Sequence, residues 1–547
     1  MTQRMPKKTQ IGTDNWLAVL AVGALLAGCG SLWLAKVNTA VPAPYLDEEF
    51  HVRQAQVYCK NRFHVWDPKI TTPPGLYLVS WIIHRLTGRC SLSDLRALNL
   101  VTVLIGYLYA YVIIRGQVQS RSPPGKQAGL VLTAANLWLF PPLFFFSGLY
   151  YTDVQSVFWV LLAYQSFQRY CRRGFSSWSD AFSQLKFGVI ALFFRQTNIF
   201  WVSVFPAGLS LISSARTLRK KTAAAMHGRK CWRAVCMDSW REVELYDLPV
   251  YEACIEDYAK TAVSLAIVTL VNAKKNISIL FPYITLIVGF AGFVAWNGGV
   301  VLGDKSNHVA TLHLSQMLYI WPYMLFFSWP IVAQAFLQGH VAVCSTWPQL
   351  VRKVLLFGLL TALSMVVIHY NTIVHPFILA DNRHYVFYVF RILLRHPAIK
   401  YIAAPIYVLS GYAVIQTLGM RPLAQHVESE DGTSVAQVDA SRTSFVLVWM
   451  IATALALITA PLVEPRYSII PWMVWRMHLA SSESEMADDK TSKPHKDSRS
   501  RQTLYSLYGH VLETIWFLVI AAGTGYMFLY KPFVWPQEPG KLQRFMW

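Results

Sequence analysis

Apolar runs long enough to cross a membrane recur along this chain, at Trp16–Ala35, Ile277–Trp296, Leu314–Phe336, Val354–Tyr370, Phe445–Leu462 and Val511–Tyr530. A helix needs about 20 such residues to span the hydrocarbon, where every backbone N–H and C=O must be satisfied inside the segment. Charged residues make up only 14% of the chain, against roughly 25% in a soluble domain. Too few residues are left to clothe a water-exposed surface. The sequence therefore predicts an all-α polytopic membrane protein of roughly 12 to 14 transmembrane helices, with the lipid bilayer as an obligatory partner and no separate soluble domain.

The formal net charge is +20. In a soluble protein that excess would suggest nucleic acid; in a membrane protein it follows the rule that positive loops stay in the cytosol. No nucleic-acid partner is expected. Arg4, Lys7 and Lys8 open the chain, Arg115, Arg121 and Lys126 follow a later span, and Arg169, Arg172 and Arg173 another. Arg216, Arg219, Lys220, Lys221, Arg229, Lys230, Arg233 and Arg241 crowd the central segment 214–258. These positions are assigned to the cytosol. The first loop, 37–96, then faces the opposite compartment. The first span reads as an uncleaved anchor, since its small-residue cleavage pattern is poor and its apolar run is long. The eight cysteines show no metal spacing. Cys59 and Cys90 share the first loop, and isolated thiols are the expectation for them.

Three polar segments interrupt the apolar pattern: 214–258, 419–442 and the Ser-rich, charged stretch 480–505, read as a mobile loop. Shorter, denser polar clusters end other apolar runs. They are Tyr151-Thr152-Asp153, Arg195-Gln196-Thr197-Asn198, Gly303-Asp304-Lys305, Asp381-Asn382-Arg383-His384-Tyr385 and Glu464-Pro465-Arg466-Tyr467. Span parity sends them to the face that bears Asp47, and polar groups converging on one membrane face suggest a site.

Asp47-Glu48 begins the most informative cluster. If a helix starts there, Asp47, His51, Gln54 and Tyr58 share one face, while Glu48 points about 100° away. One carboxylate is thus better placed than its neighbour to serve a reacting atom, and Asp47 is preferred as a catalytic base over Glu48. The alternative is that Asp47 simply caps the helix. Arg383 and His384 suit a phosphate, through a bidentate guanidinium and an imidazole donor; interfacial anchoring is the competing reading. Asp381, Asn382 and Tyr385 in the same loop favour a site. Lys305 beside Asp304, Arg466 beside Glu464, and Arg195 offer further charges, each equally readable as a local ion pair or anchor. Trp66 and Tyr77 are able to stack on sugar rings, and Asp67 is a reserve carboxylate. No glycine-rich phosphate loop, zinc motif or DxD-like metal motif for a nucleotide-sugar appears on this side. A lipid-phosphate donor, with no metal and no other cofactor, is the expectation.

These same residues carry a family resemblance. Asp47-Glu48-x-Phe50-His51-x-x-Gln54-Ala55-Gln56, Trp66-Asp67-Pro68-x-Ile70-Thr71-Thr72-x-Pro74-Gly75-Leu76-Tyr77, Phe193 to Asn198, Gly303-Asp304-Lys305, Ala380 to Tyr385, Glu464 to Tyr467 and the closing Gln543-Arg544-Phe545-Met546-Trp547 resemble the dolichyl-phosphate-glucose α-1,2-glucosyltransferase family. The resemblance implies an endoplasmic-reticulum enzyme of GT-C architecture with its site built on lumenal loops. Its donor would be dolichyl β-D-glucosyl phosphate, its acceptor a diglucosylated dolichyl-diphosphate oligosaccharide, and its reaction an inverting single displacement. Asp47 (or Glu48) would act as base, and Arg383, His384 and Lys305 would meet the donor phosphate. His51, Gln54, Trp66, Asp67, Arg195, Asp304, Asp381, Asn382, Tyr385, Glu464 and Arg466 would line the substrates. A mannosyl-transferring sister enzyme and a membrane transporter are the alternatives. The sequence shows no convincing internal repeat of the kind transporter folds carry, and its charged clusters lie at span ends on one face.

Overall fold

The computed structural model describes residues 16–117, 124–218, 230–305, 311–337, 347–419, 441–460, 462–485, 496–536 and 538–547. They are mostly helical; the one sheet among them pairs Phe533–Val534 with Leu542–Gln543 in antiparallel fashion. Among the described residues, eight helices are long and apolar enough to cross a bilayer: Trp16–Ala40, Leu92–Gln117, Gln196–Arg216, Ala273–Asn297, Gln316–Leu337, Leu350–Asn371, Pro397–Leu418 and Leu507–Tyr530. That is fewer than the sequence suggested, and the reason is length and polarity. Ala128–Leu139 and Thr443–Ile458 are apolar but short, and Thr152–Arg172 is long but diluted by Gln155, Gln165, Gln168 and Arg169.

Lipid tails are as apolar as leucine, so the helices gain little by hiding hydrophobic surface and associate through packing and buried polar bonds. Leu17, Leu25 and Leu355 accordingly point outward. Inside, Trp138, Trp449, Trp472 and Trp475 are fully buried, and Phe140 stacks on Trp472 at 3.8 Å between ring centres. Indole N–H groups need acceptors when buried. Trp449 donates to the Pro471 carbonyl, Trp472 to Ser328 Oγ and Trp475 to the Val414 carbonyl. A fully buried Arg476–Glu513 pair at 2.9 Å adds a polar knot with His510 and Asn136.

Helix Thr443–Ile458 separates the two ends of the bundle. Its start is held by Asp247, which accepts from the Ser444 amide at 3.0 Å and from Arg216 at 2.7 Å. The described part of segment 214–258 therefore lies at that end. The helix runs out toward Glu464 at the other. There the polar clusters meet. Gly75 donates its amide to Phe193 O at 2.8 Å, Gln196 reaches Thr71 O at 2.8 Å, and Asp304 donates to Pro68 O at 2.7 Å. Gly303 makes that last approach at φ +61°, where a Cβ would collide with the carbonyls of Pro68 and Ile70.

Cys59 and Cys90 form a disulfide, which corrects the expectation of isolated thiols. Helix Glu48–Cys59 packs beside the start of Leu92–Gln117, and this crossing sets the two Cα atoms 6.8 Å apart, within disulfide reach. Residues 219–229, 420–440 and 486–495 of the long polar segments lie outside the described residues. Helix flanks the last of these, up to Glu485 and again from Lys496.

Candidate active site

Pro42 and Pro44 stop the first span, since proline lacks the N–H a helix needs. Leu46 then adopts φ +53°, a left-handed conformation that costs a bulky residue about 1–2 kcal/mol. Its neighbour Tyr45 holds it there. The Tyr45 amide donates to Glu48 Oε2 at 3.1 Å, and its carbonyl accepts from the Glu48 amide at 3.1 Å. The Tyr45 hydroxyl exchanges hydrogen bonds with the backbone of Arg544. Burial pushes this phenol up to about 12, with Arg544 pulling it back, so it stays protonated and serves as donor and acceptor together.

Asp47 follows at the N-cap of helix Glu48–Cys59, yet its side chain makes no capping bond. The carboxylate is 53% exposed, and Oδ2 lies 3.6 Å from Arg466 Nη1. Glu48 points inward and is completely buried. Its Oε1 accepts from Arg96 Nε at 2.9 Å and the Tyr150 amide at 2.7 Å; its Oε2 accepts from Arg96 Nη2 at 2.6 Å and from Tyr45. Arg96 also donates to Asn38 Oδ1 and Val41 O. The two adjacent acids are divided: Asp47 is open, and Glu48 ties three elements together. Glu48, the alternative to Asp47 as base in the sequence, has both carboxylate oxygens taken up by Arg96, Tyr45 and Tyr150.

The helical face expected to share the site with Asp47 is the packing face. His51 Nδ1 shares a hydrogen bond with Tyr77 OH at 2.6 Å. Gln54 donates to Val65 O at 2.7 Å and accepts from the Asp67 amide at 3.0 Å. His51 Nδ1 and the Gln54 amide are thus taken up by protein groups, and Gln54 ties down the Val65–Asp67 loop. Burial pulls His51 down to about 4, with Asp47 pushing up and Arg466 down, so the ring is neutral at neutral pH. Gln54 places Trp66 edge-on to Tyr77 at 5.9 Å, with the indole nitrogen buried and without a hydrogen-bond partner. Asp67 turns its carboxylate back to the Lys69 amide at 3.0 Å.

Arg466 is the electrostatic centre. Nε and Nη2 hold Glu464 at 2.8 and 2.6 Å, while Nη1 lies 3.6 Å from both Asp47 and Asp153. The guanidinium covers the rings of Phe146 and Tyr151 at 5.4 and 5.6 Å, which adds cation–π attraction. Asp153 also takes Arg195 Nη2 at 2.9 Å. The result is an alternating string, Asp47–Arg466–Asp153–Arg195. Asp153 is 3% exposed and Glu464 18%, so Asp47 is the open carboxylate of the string. Asp153 was visible in the sequence only as part of a polar cluster. Arg96 was missed, although a charge at the start of an apolar helix is a signal in itself.

A second group stands on the loop before helix Tyr385–Leu393. Arg383 grips Asp381 through Nε–Oδ1 and Nη2–Oδ2 bonds, both 2.7 Å, and gives Nη1 to Gln543 at 3.0 Å. Burial would raise the Asp381 carboxyl, but Arg383 and His384 hold it below its usual value. His384 Nδ1 lies 3.2 Å from Trp547 O. Asn382 Oδ1, Tyr385 OH and Trp547 Nε1 are buried without hydrogen-bond partners, a state that native proteins rarely leave unexplained. The Lys305 ammonium binds the Asn297 carbonyl at the end of its own preceding helix.

Fold and site together define a polytopic helical membrane protein whose open carboxylate and clustered guanidinium groups gather at one end. The chain belongs to the DIE2/ALG10 family, whose model matches residues 41–477. A protein of Aspergillus fumigatus, Dol-P-Glc:Glc(2)Man(9)GlcNAc(2)-PP-Dol alpha-1,2-glucosyltransferase, is 41% identical over 94% of this chain and 96% of its own length. Relatives of the same name from Yarrowia lipolytica and Homo sapiens are 32% and 31% identical, each over 94% of this chain and 95% and 96% of their own lengths. No solved structure matches.

Proposed function

We propose that this chain transfers glucose from dolichyl β-D-glucosyl phosphate, in α-1,2 linkage, to a diglucosylated dolichyl-diphosphate oligosaccharide. The observation that carries the chemistry is the exposed, uncapped Asp47 carboxylate held beside Arg466. An Asp47 oxygen takes the proton of the acceptor 2-hydroxyl as that oxygen attacks the glucose anomeric carbon. The attack comes from the face opposite the phosphate. The bond to the phosphate oxygen breaks with its electron pair, so the configuration inverts and dolichyl phosphate leaves. Positive groups must stabilise the charge that develops there. Arg383 spends three of its five N–H groups within the protein, leaving others for the phosphate. His384, Tyr385 and Asn382 stand beside it. Trp66, Asp67 and Asp304 form the wall nearest the acceptor in this reading.

Purified enzyme offered dolichyl-phosphate-glucose or dolichyl-phosphate-mannose with the diglucosylated acceptor decides the donor. Product from glucose alone is expected, and efficient mannosyl transfer overturns the sugar assignment. In the same assay Arg383→Ala should raise the donor KM about 10- to 100-fold, the effect of losing a charged hydrogen bond worth roughly 1.5–3 kcal/mol, with the acceptor KM unmoved. An unchanged donor KM and turnover remove Arg383 from the site.

The same reading sets the active site in the lumen of the endoplasmic reticulum. The Cys59–Cys90 disulfide belongs to the Asp47 end, and disulfides persist in oxidising compartments. The basic segment 214–258 lies at the other end, as expected of a cytosolic loop. Protease added to sealed microsomes should cut within 214–258 and spare the Asp47 loop; the reverse pattern inverts the topology.

A further inference from the structure

Residues Leu542–Trp547 lie beyond the stretch that the family model covers, yet they join the two halves of the site. The segment is extended, held in the ladder with Phe533–Val534 and by the Gln543–Glu538 hydrogen bond at 3.0 Å. Its groups reach to both sides of the site. Arg544 serves the Asp47 side. Its amide donates to Tyr45 OH at 2.7 Å, and its carbonyl accepts from that hydroxyl at 2.8 Å. Its buried guanidinium donates to the carbonyls of Ala40, Phe528 and Leu529 at 2.7, 2.7 and 2.9 Å. Those are last-turn carbonyls of two spans, groups a helix cannot satisfy for itself. Gln543 and Met546 serve the other side. Gln543 accepts from Arg383 Nη1, Met546 donates to Arg383 O at 2.8 Å, and its carbonyl accepts from the Tyr385 amide at 3.2 Å.

We propose that Leu542–Trp547 is a positioning strap for glucosyl transfer, setting the Asp47 turn against the Asp381–Tyr385 loop, with Tyr45 and Arg544 as the residues that fix the spacing. This rests on the reading of Asp47 as base and of the Asp381–Tyr385 loop as the donor-phosphate side. Tyr45 precedes Asp47 by two residues, and between them Leu46 is locked in the left-handed region. A shift of Tyr45 therefore passes to the carboxylate with little slack. Misplacing a reacting group by about 1 Å costs on the order of 10²-fold in rate.

Tyr45→Phe removes only the oxygen that links the strap to this turn and keeps the ring edge-on to Phe528. The expected result is a kcat per folded molecule lowered about 10- to 100-fold, with both KM values unchanged and the detergent-solubilised protein still folded. Arg544→Lys, which loses the three-way grip on carbonyls, should show the same split between kcat and KM. Wild-type kcat in Tyr45→Phe overturns the proposal. So does a loss of activity that only tracks a loss of folded protein. Asp47→Asn measured alongside separates the two levels. An inactive Asn variant with a fully active Tyr45→Phe rejects the strap alone, and an active Asn variant rejects the reading beneath it.

Discussion

Asp47→Asn is expected to leave a folded protein that binds both lipid substrates and transfers glucose roughly 10²–10⁴-fold more slowly, the usual worth of a general base. The substitution keeps the size of the side chain and much of its hydrogen bonding. It cannot take a proton from the acceptor hydroxyl. Because Asp47 makes no capping bond and is half-exposed, little stability should be lost with the charge. The check is a glucosyl-transfer assay with binding of each substrate measured separately. Near-normal turnover would dismiss Asp47 and pass the role to Asp67, the reserve carboxylate of segment 37–96.

Arg96→Ala should fail differently. It strands the Glu48 carboxylate in a completely buried site, and breaking such a pair costs about 3–5 kcal/mol. Net stabilities are only about 5–15 kcal/mol, so most of the variant should be lost on detergent extraction and size-exclusion chromatography. Glu48→Gln should share this defect in milder form, because the amide still accepts some of the same bonds. Activity per folded molecule should exceed that of Asp47→Asn. A pair of apolar replacements at both positions should recover folded protein better than either single change, as buried ion pairs often tolerate joint replacement. Recovery of Arg96→Ala with a wild-type thermal midpoint would show that the pair does not anchor the turn.

The helical nature of the bundle and the grouping of its polar clusters at one end were legible from apolar run length and span parity. Those are one-dimensional properties: a run of residues either reaches across hydrocarbon or does not. The short acidic helix was also predictable from its periodicity. Its orientation was not. Asp47, His51, Gln54 and Tyr58 share a face on paper, but the packing of this helix on Gly75–Thr87 turned that face inward. Asp47, sitting at the cap, escaped outward. Arg383 likewise has the chemistry of a phosphate binder, yet its first partner is Asp381 two residues earlier.

By itself, then, the sequence determined that the chain must be helical in a membrane, which residue types could do acid–base and phosphate chemistry, and that they belong to one face. Hydrophobic length and residue chemistry are local and need no partner to be read. Only the tertiary structure decided which acid is open and which is sealed, that Cys59 meets Cys90, and that Arg544 ties Tyr45 to the ends of two spans. Each of those outcomes joins residues far apart in sequence, or depends on which side of a helix meets its neighbour. A buried charge takes whichever partner the packed helices bring within about 3 Å, and no local pattern names that partner in advance.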